Sequence, residues 1–305
     1  MPTAPDNGIR SPRALLAAVV RKLVDAAGRN RARSALLREL TRPTEAPAVT
    51  PLLKPRCRCF ALEESFWSGG GVRDIAEDPR RRSIAGDVEF HAEPQDTECS
   101  AWQRLLELVD EAAANGSTTV APLREMDLAD QAKIVTLPPT IAKLKAVTHL
   151  YLYRSNLVRI PREIGEMSSL QKFTPYTSYR LHWFPYEITR CTRLRGSTVS
   201  TRALYGNFKL RPPFPRLEPR TQTGEFDSGS GGTEVHRRCS VCNRLFQDLG
   251  LHRVWISLWV GSDVLPLLVN ACSEECIRKL PTPANGHVQE PHRGGLEVEQ
   301  PDPLW

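Results

Sequence analysis

Four cysteines in the C-terminal part of the chain have the spacing typical of metal ligands. Two residues separate Cys239 from Cys242, three separate Cys272 from Cys276, and 29 lie between the two pairs. Two close pairs of thiolates supply the four soft ligands that a tetrahedral Zn²⁺ site requires. Because four protein ligands leave no coordination position open, these residues predict a structural Zn²⁺ and not a catalytic one.

The residues around these cysteines predict the elements that position them. Residues 251–260 and 264–269 have the composition of two strands, joined by a turn at Gly261-Ser262-Asp263. Ser273 and the two glutamates after it suit the first turn of a helix that runs to Leu280. A cysteine turn, a hairpin and a helix that carries the second pair resemble a treble-clef zinc finger. That resemblance implies that all four cysteines bind one zinc ion.

Other uses of these cysteines stay open from the sequence alone. The pairs could instead be reduced core cysteines or a redox pair. Four nearby histidines could each replace one ligand: His236, His252, His287 and His292. A second metal site could form from Cys57, Cys59, His91 and Cys99. Cys191 falls at an apolar position of a repeat, so we expect it to be buried.

An internal repeat of 23 and 24 residues precedes the cysteine region. Pairs of an apolar residue and a proline begin at Leu137, Ile160 and Phe184. Two further sets of positions keep the same spacing: Ile141, Ile164 and Ile188, then Leu144, Met167 and Cys191. Three sets with one spacing indicate a repeated structural unit.

This pattern resembles the leucine-rich repeat family, L-x-x-L-x-L-x-x-N-x-L-x-x-L-P-x-x-I-x-x-L. The best copy covers residues 147–170, and other copies start at Leu123, at Leu170 and, in degraded form, at Leu194. In the copy at Leu170, Pro175 falls at a buried strand position, which argues against a strand there. The resemblance implies short parallel strands laid side by side, with each unit burying its apolar edge against its neighbours.

The resemblance also implies a binding surface on the concave side of the strands. Because strand side chains alternate between faces, the residues between the buried leucines face solvent. The candidate partner-binding residues are His149, Tyr151, Tyr153, Arg154, Lys172 and Tyr176. Next to them, the copy at Leu123 offers Glu125, Asp127 and Asp130, and the copy at Leu170 offers Thr174. Tyr and Arg are enriched in binding hot spots, so we expect a protein partner, with ordinary solvated strand residues as the alternative.

The predicted fold class is α/β: a short leucine-rich repeat solenoid with an N-terminal helical region and a small C-terminal zinc-binding α+β module. The predicted regions are N-terminal helices with a Pro-rich linker (1–56), a mixed region with a helix at 97–114 (57–119), the repeats (120–220), a flexible linker (221–235), the zinc module (236–285) and a tail (286–305). We expect the helix at 97–114 to cap the first repeat, because the end of a repeat array exposes apolar surface.

The charge distribution supports an alternative function. The net charge of the chain is +6, but residues 131–220 carry 16 basic and 4 acidic side chains, a net +12. A basic block beside a zinc module is compatible with binding of nucleic acid. Residues 221–305, which hold the predicted zinc module, are net −4, and this weakens the alternative.

The sequence contains none of the common enzyme motifs that we sought. It lacks a phosphate-binding G-x-x-x-x-G-K-[ST] loop, a dinucleotide-binding G-x-G-x-x-G motif, H-E-x-x-H and G-x-S-x-G. The glycines at 69–71 are not followed by Lys and Ser or Thr. The main expectation is therefore a non-enzymatic scaffold, with an enzyme in residues 57–120 as a third possibility.

The N-terminal region indicates the compartment. Residues 14–20 are apolar, but Arg21 and Lys22 follow at once without an A-x-A cleavage site, so residues 12–27 predict an amphipathic helix. No run reaches the roughly 18–20 apolar residues of a membrane span. We therefore expect a cytoplasmic protein, in which disulfides are rare. The identity of the partner and the oligomeric state are left open.

Overall fold

A computed structural model describes residues 91, 93–217, 238–246 and 251–302. All of them belong to one unit, Lys54–Trp305. The predictions for residues 1–56 and for the linker at 221–235 lie outside the described residues. Cys57, Cys59 and His236 lie outside them as well.

The described residues contain helices and two β-sheets. The strands are β1 (Thr119–Val120), β2 (His149–Tyr151), β3 (Lys172–Thr174), β4 (Phe184–Pro185), β5 (Gly196–Ser197), β6 (His252–Val260) and β7 (Asp263–Ala271). The α-helices are α1 (Ser100–Ala114), α2 (Leu128–Lys133) and α3 (Glu274–Arg278). One sheet has the order β1-β2-β3-β5 and the other has the order β4-β7-β6.

The four-stranded sheet follows the repeat seen in the sequence. Its strands are parallel, and the register pairs His149 with Lys172 and Lys172 with Gly196. These pairs reproduce the 23- and 24-residue spacing. Leu150 and Phe173 point into the core from the middle of their strands, and the residues on either side are half-buried or exposed.

Three short 3₁₀ helices form the opposite side of the repeats. They are Pro139–Lys143, Arg162–Glu166 and Tyr186–Arg190. Each helix directly follows the proline of one repeated apolar residue and proline pair, and the proline fixes φ near the value that the chain needs there. Each helix buries one isoleucine: Ile141, Ile164 and Ile188. A Cβ on Gly165 would lie 2.5 Å from the carbonyl oxygen of Glu187, so neighbouring helices approach so closely that only glycine fits.

The strand predicted from Leu123 is wrong. The first strand lies earlier, at β1, and Pro122–Glu125 form a 3₁₀ helix. The carboxylate of Asp127 then accepts a hydrogen bond from the backbone N–H of Asp130 and caps α2. Leu128, at the third leucine position of the repeat pattern in the copy that starts at Leu123, is 69% exposed. Glu125, Asp127 and Asp130 are therefore not strand residues.

The repeat copies that start at Leu170 and at Leu194 do form strands. β3 ends at Thr174, immediately before Pro175, so the proline terminates the strand and does not prevent it. In the degraded fourth copy, β5 pairs in parallel with β3.

Helix α1 packs on the first repeat at its apolar face. It begins three residues later than predicted, because the Asp96 carboxylate accepts the backbone N–H groups of Glu98 and Cys99 before the helix starts. The chain leaves the helix at Asn115, and Gly116 follows with φ of +60°. Its buried residues are Ala101, Trp102, Leu105, Leu108 and Val109.

The C-terminal hairpin shares a sheet with the repeats. β6 and β7 pair antiparallel around a two-residue turn in which Gly261 has φ of +65°. β7 also pairs in parallel with β4, with Phe184 opposite Leu267. The predicted strands at 251–260 and 264–269 match β6 and most of β7, and the predicted helix to Leu280 ends at Arg278.

One continuous apolar core joins the repeats to the hairpin. Leu150, Phe173 and Ile188 belong to the same buried cluster as Ile256 and Leu267. A second cluster lies on the other face of the hairpin and contains Trp183, Tyr205, Phe214, Leu217, Trp255 and Leu268. No helix within the described ranges combines the length and apolar character needed to cross a membrane.

Candidate functional site

The structure brings together the four predicted metal ligands. The Sγ atoms of Cys239, Cys242, Cys272 and Cys276 all lie within 4.8 Å of one another. The Cys242–Cys272 and Cys272–Cys276 Sγ pairs are each 3.6 Å apart. Four sulfurs at about 2.3 Å from a tetrahedral zinc are about 3.8 Å apart, whereas a disulfide requires about 2.05 Å. The arrangement therefore matches a metal site and not a pair of disulfides.

The first pair of cysteines lies in a tight turn that exposes backbone N–H groups to sulfur. The N–H groups of Val241 and Cys242 both donate to Cys239 Sγ at 3.4 Å. Asn243, with φ of +61°, closes the turn through its N–H to the Cys239 carbonyl at 3.0 Å. N–H groups directed at a sulfur stabilise its thiolate, which is the form that binds metal.

The second pair is placed by the end of β7 and the start of α3. Cys272 follows the strand, and Cys276 lies in the helix. Ser273 caps α3, since its hydroxyl oxygen accepts the backbone N–H of Cys276 at 3.3 Å. Cys272 and Cys276 are buried, as is Cys239, and Cys242 alone of the four is exposed.

The four thiols differ in acidity. Burial opposes ionisation of Cys242, but the Arg244 backbone and the neighbouring sulfurs lower its pKa to about 7. Burial raises the pKa of Cys272 to about 12, and hydrogen bonds with the other cysteines add to the increase. Four thiolates this close would repel one another strongly, so a bound cation is what allows all four to ionise together.

The cysteine turn is bonded to the repeats through Ser240. The Ser240 N–H donates to the Asn270 carbonyl at 2.7 Å, and the Asn270 N–H donates to the Ser240 hydroxyl at 3.1 Å. Arg190, in the third 3₁₀ helix, donates to the Ser240 carbonyl at 2.8 Å. The turn is thus fixed to the hairpin on one side and to a repeat on the other.

Glu187 is the buried centre of this contact. Its carboxylate accepts the hydroxyl of Ser240 at 3.0 Å and pairs with Arg162 at 3.4 Å. Arg162, from the neighbouring repeat, also donates to the Arg238 carbonyl at 3.0 Å. Sequence reasoning missed Glu187 and Ser240, because no local spacing marks a contact between residues 53 positions apart.

The described histidines near the cysteines have other contacts. His252 pairs with Glu274 at 2.9 Å, and His287 Nδ1 lies 3.3 Å from the Asn285 carbonyl. His292 exchanges backbone hydrogen bonds with Trp255. Among the described residues, the four cysteines are the one group of three or more Cys, His, Asp or Glu side chains close enough to share a metal ion.

The members of the second candidate metal site that can be described have local partners. His91 lies 2.9 Å from the Glu93 carboxylate and stacks on His182. Cys99 donates from Sγ to the Asp96 carbonyl at 3.2 Å. Cys191, expected in the core, is buried, and burial raises its pKa to about 12.

Four of the six predicted partner-binding residues form a row of rings that begins on β2 and continues beyond its end. His149 and Tyr151 lie on the side of the strand opposite the buried Leu150, with ring centroids 5.8 Å apart. Tyr153 continues the row at 6.0 Å from Tyr151, and Tyr176 follows at 6.2 Å from Tyr153. We call these four residues, His149, Tyr151, Tyr153 and Tyr176, the aromatic strip.

The aromatic strip is accessible and is bordered by cations. Tyr153 is 38% exposed and Tyr176 is 46% exposed. On the β1 side, the guanidinium of Arg124 lies 5.4 Å from the Tyr151 ring centroid, a position that the sequence did not predict. On the β3 side, exposed Lys172 pairs in register with His149. Arg154, also predicted for this surface, is exposed and adopts φ of +59° directly after Tyr153.

Comparisons of the chain with models of known families, with curated proteins and with solved structures found no match. The chemistry of the cysteine cluster and of the aromatic strip is therefore the basis on which a function can be inferred.

Proposed function

We propose that the chain is a non-enzymatic scaffold that binds a protein partner on the aromatic strip. The observation that carries this proposal is the contiguous row of four rings, in which His149 and Tyr151 are half-buried on β2 and Tyr153 and Tyr176 are exposed beyond the strand ends. Large aromatic side chains held against one another lose little conformational entropy on binding, so they are effective contact residues.

The scaffold itself is proposed to be a short leucine-rich repeat solenoid. In support, equivalent strand residues recur at the 23- and 24-residue spacing, and each repeat returns through a 3₁₀ helix that starts after a proline. Successive units bury their apolar residues in one core, as stacked repeats do.

The four-cysteine cluster is proposed to hold one structural Zn²⁺. Metal content measured on the purified chain should be about one zinc per molecule. Cys272→Ser should abolish it, because three ligands and a hydroxyl bind zinc far more weakly. Cys99→Ser, which changes a cysteine outside the cluster, should keep the full zinc content. A zinc-free wild-type chain purified without chelators would contradict the proposal.

Partner binding is tested by removing the two central rings. Tyr151→Ala with Tyr153→Ala should remove a discrete protein from the material captured by the tagged chain, without a change in thermal stability. Trp259→Ala is the matched control, since Trp259 is 66% exposed on the hairpin and outside the strip. Capture of the same proteins by all three chains would refute a binding role for the strip.

Binding of nucleic acid is a second candidate, favoured by the cations beside the strip and by the net +12 charge of residues 131–220. Contacts with phosphates release counterions, so affinity for an oligonucleotide would fall steeply as salt rises. A nucleic-acid-rich eluate that high salt removes would favour this candidate over a protein partner.

A cytoplasmic location is proposed on the state of the cysteines. None of the six described cysteines forms a disulfide, as expected in a reducing compartment. Fractionation of host cells tests the location directly.

A further inference from the structure

We propose that the aromatic strip binds a short extended segment of protein rich in Asp and Glu. This inference rests on the proposed function, because it specifies the chemistry of the partner at the same surface.

The charge of the surface is the first argument. The residues of the four strands that alternate with the buried ones are Thr119, His149, Tyr151, Lys172, Thr174 and Gly196, and none is acidic. Arg124 and Lys172 border the strip on opposite sides, and both are exposed. Among the described residues, neither forms an ion pair with a carboxylate. A partner with carboxylates on both sides of a central backbone would complement these two cations.

One cation and one ring of this surface, Arg124 and His149, contact neighbouring side chains that hold them in place. The Arg124 guanidinium rests on Tyr151, and His149 Nε2 lies 2.9 Å from the Thr174 hydroxyl. Burial, with a contribution from the charge of Lys172, lowers the pKa of His149, so this histidine is neutral near pH 7. The positive charge on the two sides of the strip therefore comes from Arg124 and Lys172, and exposed Arg154 follows Tyr153.

The dimensions of the strip suit a short peptide. The ring centroids of His149 and Tyr151 are 5.8 Å apart and those of Tyr151 and Tyr153 are 6.0 Å apart, so these three rings extend over at most about 12 Å, and an extended chain rises about 3.3 Å per residue. The tyrosine hydroxyls can donate hydrogen bonds to carboxylates or to a peptide backbone. About four residues of an extended partner would span the row.

The central ring of the strip, Tyr151, is poorly placed to stack on a nucleic acid base. The guanidinium of Arg124 covers one face of Tyr151, and Tyr153 packs beside that ring at 6.0 Å, with 29° between the two planes. A base needs an open aromatic face. A carboxylate needs only a hydroxyl or a cation, and both are accessible along the strip.

The test compares charge reversal on the strip with charge reversal elsewhere. Fluorescently labelled hexaglutamate is titrated with the full chain, and polarisation is measured at moderate salt. Arg124→Glu with Lys172→Glu should weaken binding by roughly tenfold or more, since each change places like charges together. Arg193→Glu is the control, because Arg193 is an exposed cation of the same basic region in the turn before β5. It should change the affinity by about twofold at most, as expected for a remote exposed charge.

Equal losses from the strip variant and from Arg193→Glu would overturn the inference, because attraction would then reflect net charge alone. Tighter binding of a labelled oligothymidine than of hexaglutamate would also overturn it in favour of nucleic acid. The proposed function is assessed separately by partner capture. If the tyrosine variant loses the partner while the charge-reversal variant keeps it, the strip binds a protein but the partner is not acidic. If both variants keep it, both proposals fail.

Discussion

Replacing Glu187 by alanine should destabilise the cysteine turn and the repeats together. The Glu187 carboxylate is 2% exposed and lies between Arg162 of one repeat and Ser240 of the cysteine turn. Without the Glu187 carboxylate, the mostly buried guanidinium of Arg162 has no carboxylate partner among the described residues, and the Ser240 hydroxyl has no acceptor. Both groups stay in a site that water hardly reaches.

The expected magnitude follows from these contacts. Removing one member of a buried ion pair costs about 3–5 kcal/mol, because the remaining charge stays desolvated. Arg162 keeps its hydrogen bond to the Arg238 carbonyl, so the lower end, about 3 kcal/mol, is expected. For a unit of this size the melting temperature should fall by about 6–12 °C. Glu187→Gln keeps an acceptor for Ser240 and should cost about 1–2 kcal/mol.

The assay is unfolding of the zinc-loaded chain by urea and by heat, with zinc release to a chelating dye measured in parallel. Glu187→Ala should lower the unfolding midpoint and release zinc at a lower dye concentration. The control is Glu166→Ala, since the pair of Glu166 with Lys145 is about half exposed on both sides and should contribute less than about 1 kcal/mol. Equal effects of the two substitutions would refute the reasoning that Glu187 joins the turn to the repeats.

Three further perturbations test the packing and the pH dependence. Gly165→Ala should cost about 1–3 kcal/mol by urea unfolding, because the new Cβ meets a backbone carbonyl, whereas Gly196→Ala meets only a lysine side chain at 3.9 Å and should be nearly neutral. Trp255→Ala should cost about 3–5 kcal/mol in the same assay, since Trp255 is fully buried, and exposed Trp259→Ala should stay within about 0.5 kcal/mol. Burial lowers the pKa of His292 to about 4 from about 6.5 in the unfolded chain, so the unfolded chain binds more protons below pH 6.5. The contribution of His292 to stability should therefore fall by about 1.4 kcal/mol per pH unit from pH 6.5 towards 4, and in urea unfolding across that range His292→Asn should reduce the slope by up to this amount.

The repeat could be predicted because its signal is local. Ile141, Ile164 and Ile188 occupy equivalent buried positions since each follows a proline by the same number of residues. The start of the array could not be placed in this way. Pro122 and the capping carboxylate of Asp127 favour helical turns over a strand, so the first strand lies before the apolar residues that suggested it.

In the candidate sites, too, some features follow from local sequence patterns and others depend on tertiary packing. The spacing of the cysteines and the alternation along β2 are properties of short segments, and they led directly to the four Sγ atoms and to the aromatic strip. Arg124 comes from the 3₁₀ helix Pro122–Glu125 that follows β1, and Glu187 contacts Ser240 across 53 positions. Such contacts depend on how whole elements pack, and no pattern within a single segment reports them.

The β6–β7 hairpin connects the cysteine cluster to the sheet that carries the aromatic strip. The turn of the hairpin is hydrogen-bonded to β5, the last strand of that sheet. The Ser197 hydroxyl donates to the Val260 carbonyl at 2.8 Å, and the Ser262 hydroxyl donates to the Ser197 carbonyl at 2.7 Å. These contacts engage backbone groups of β5 that would otherwise be open to edge pairing. Because β7 leads directly to Cys272, a metal that holds the end of this strand also stabilises the hairpin that covers the sheet edge. A metal at the cysteine cluster would thus stabilise the edge of the sheet that carries the aromatic strip without lying on the strip itself.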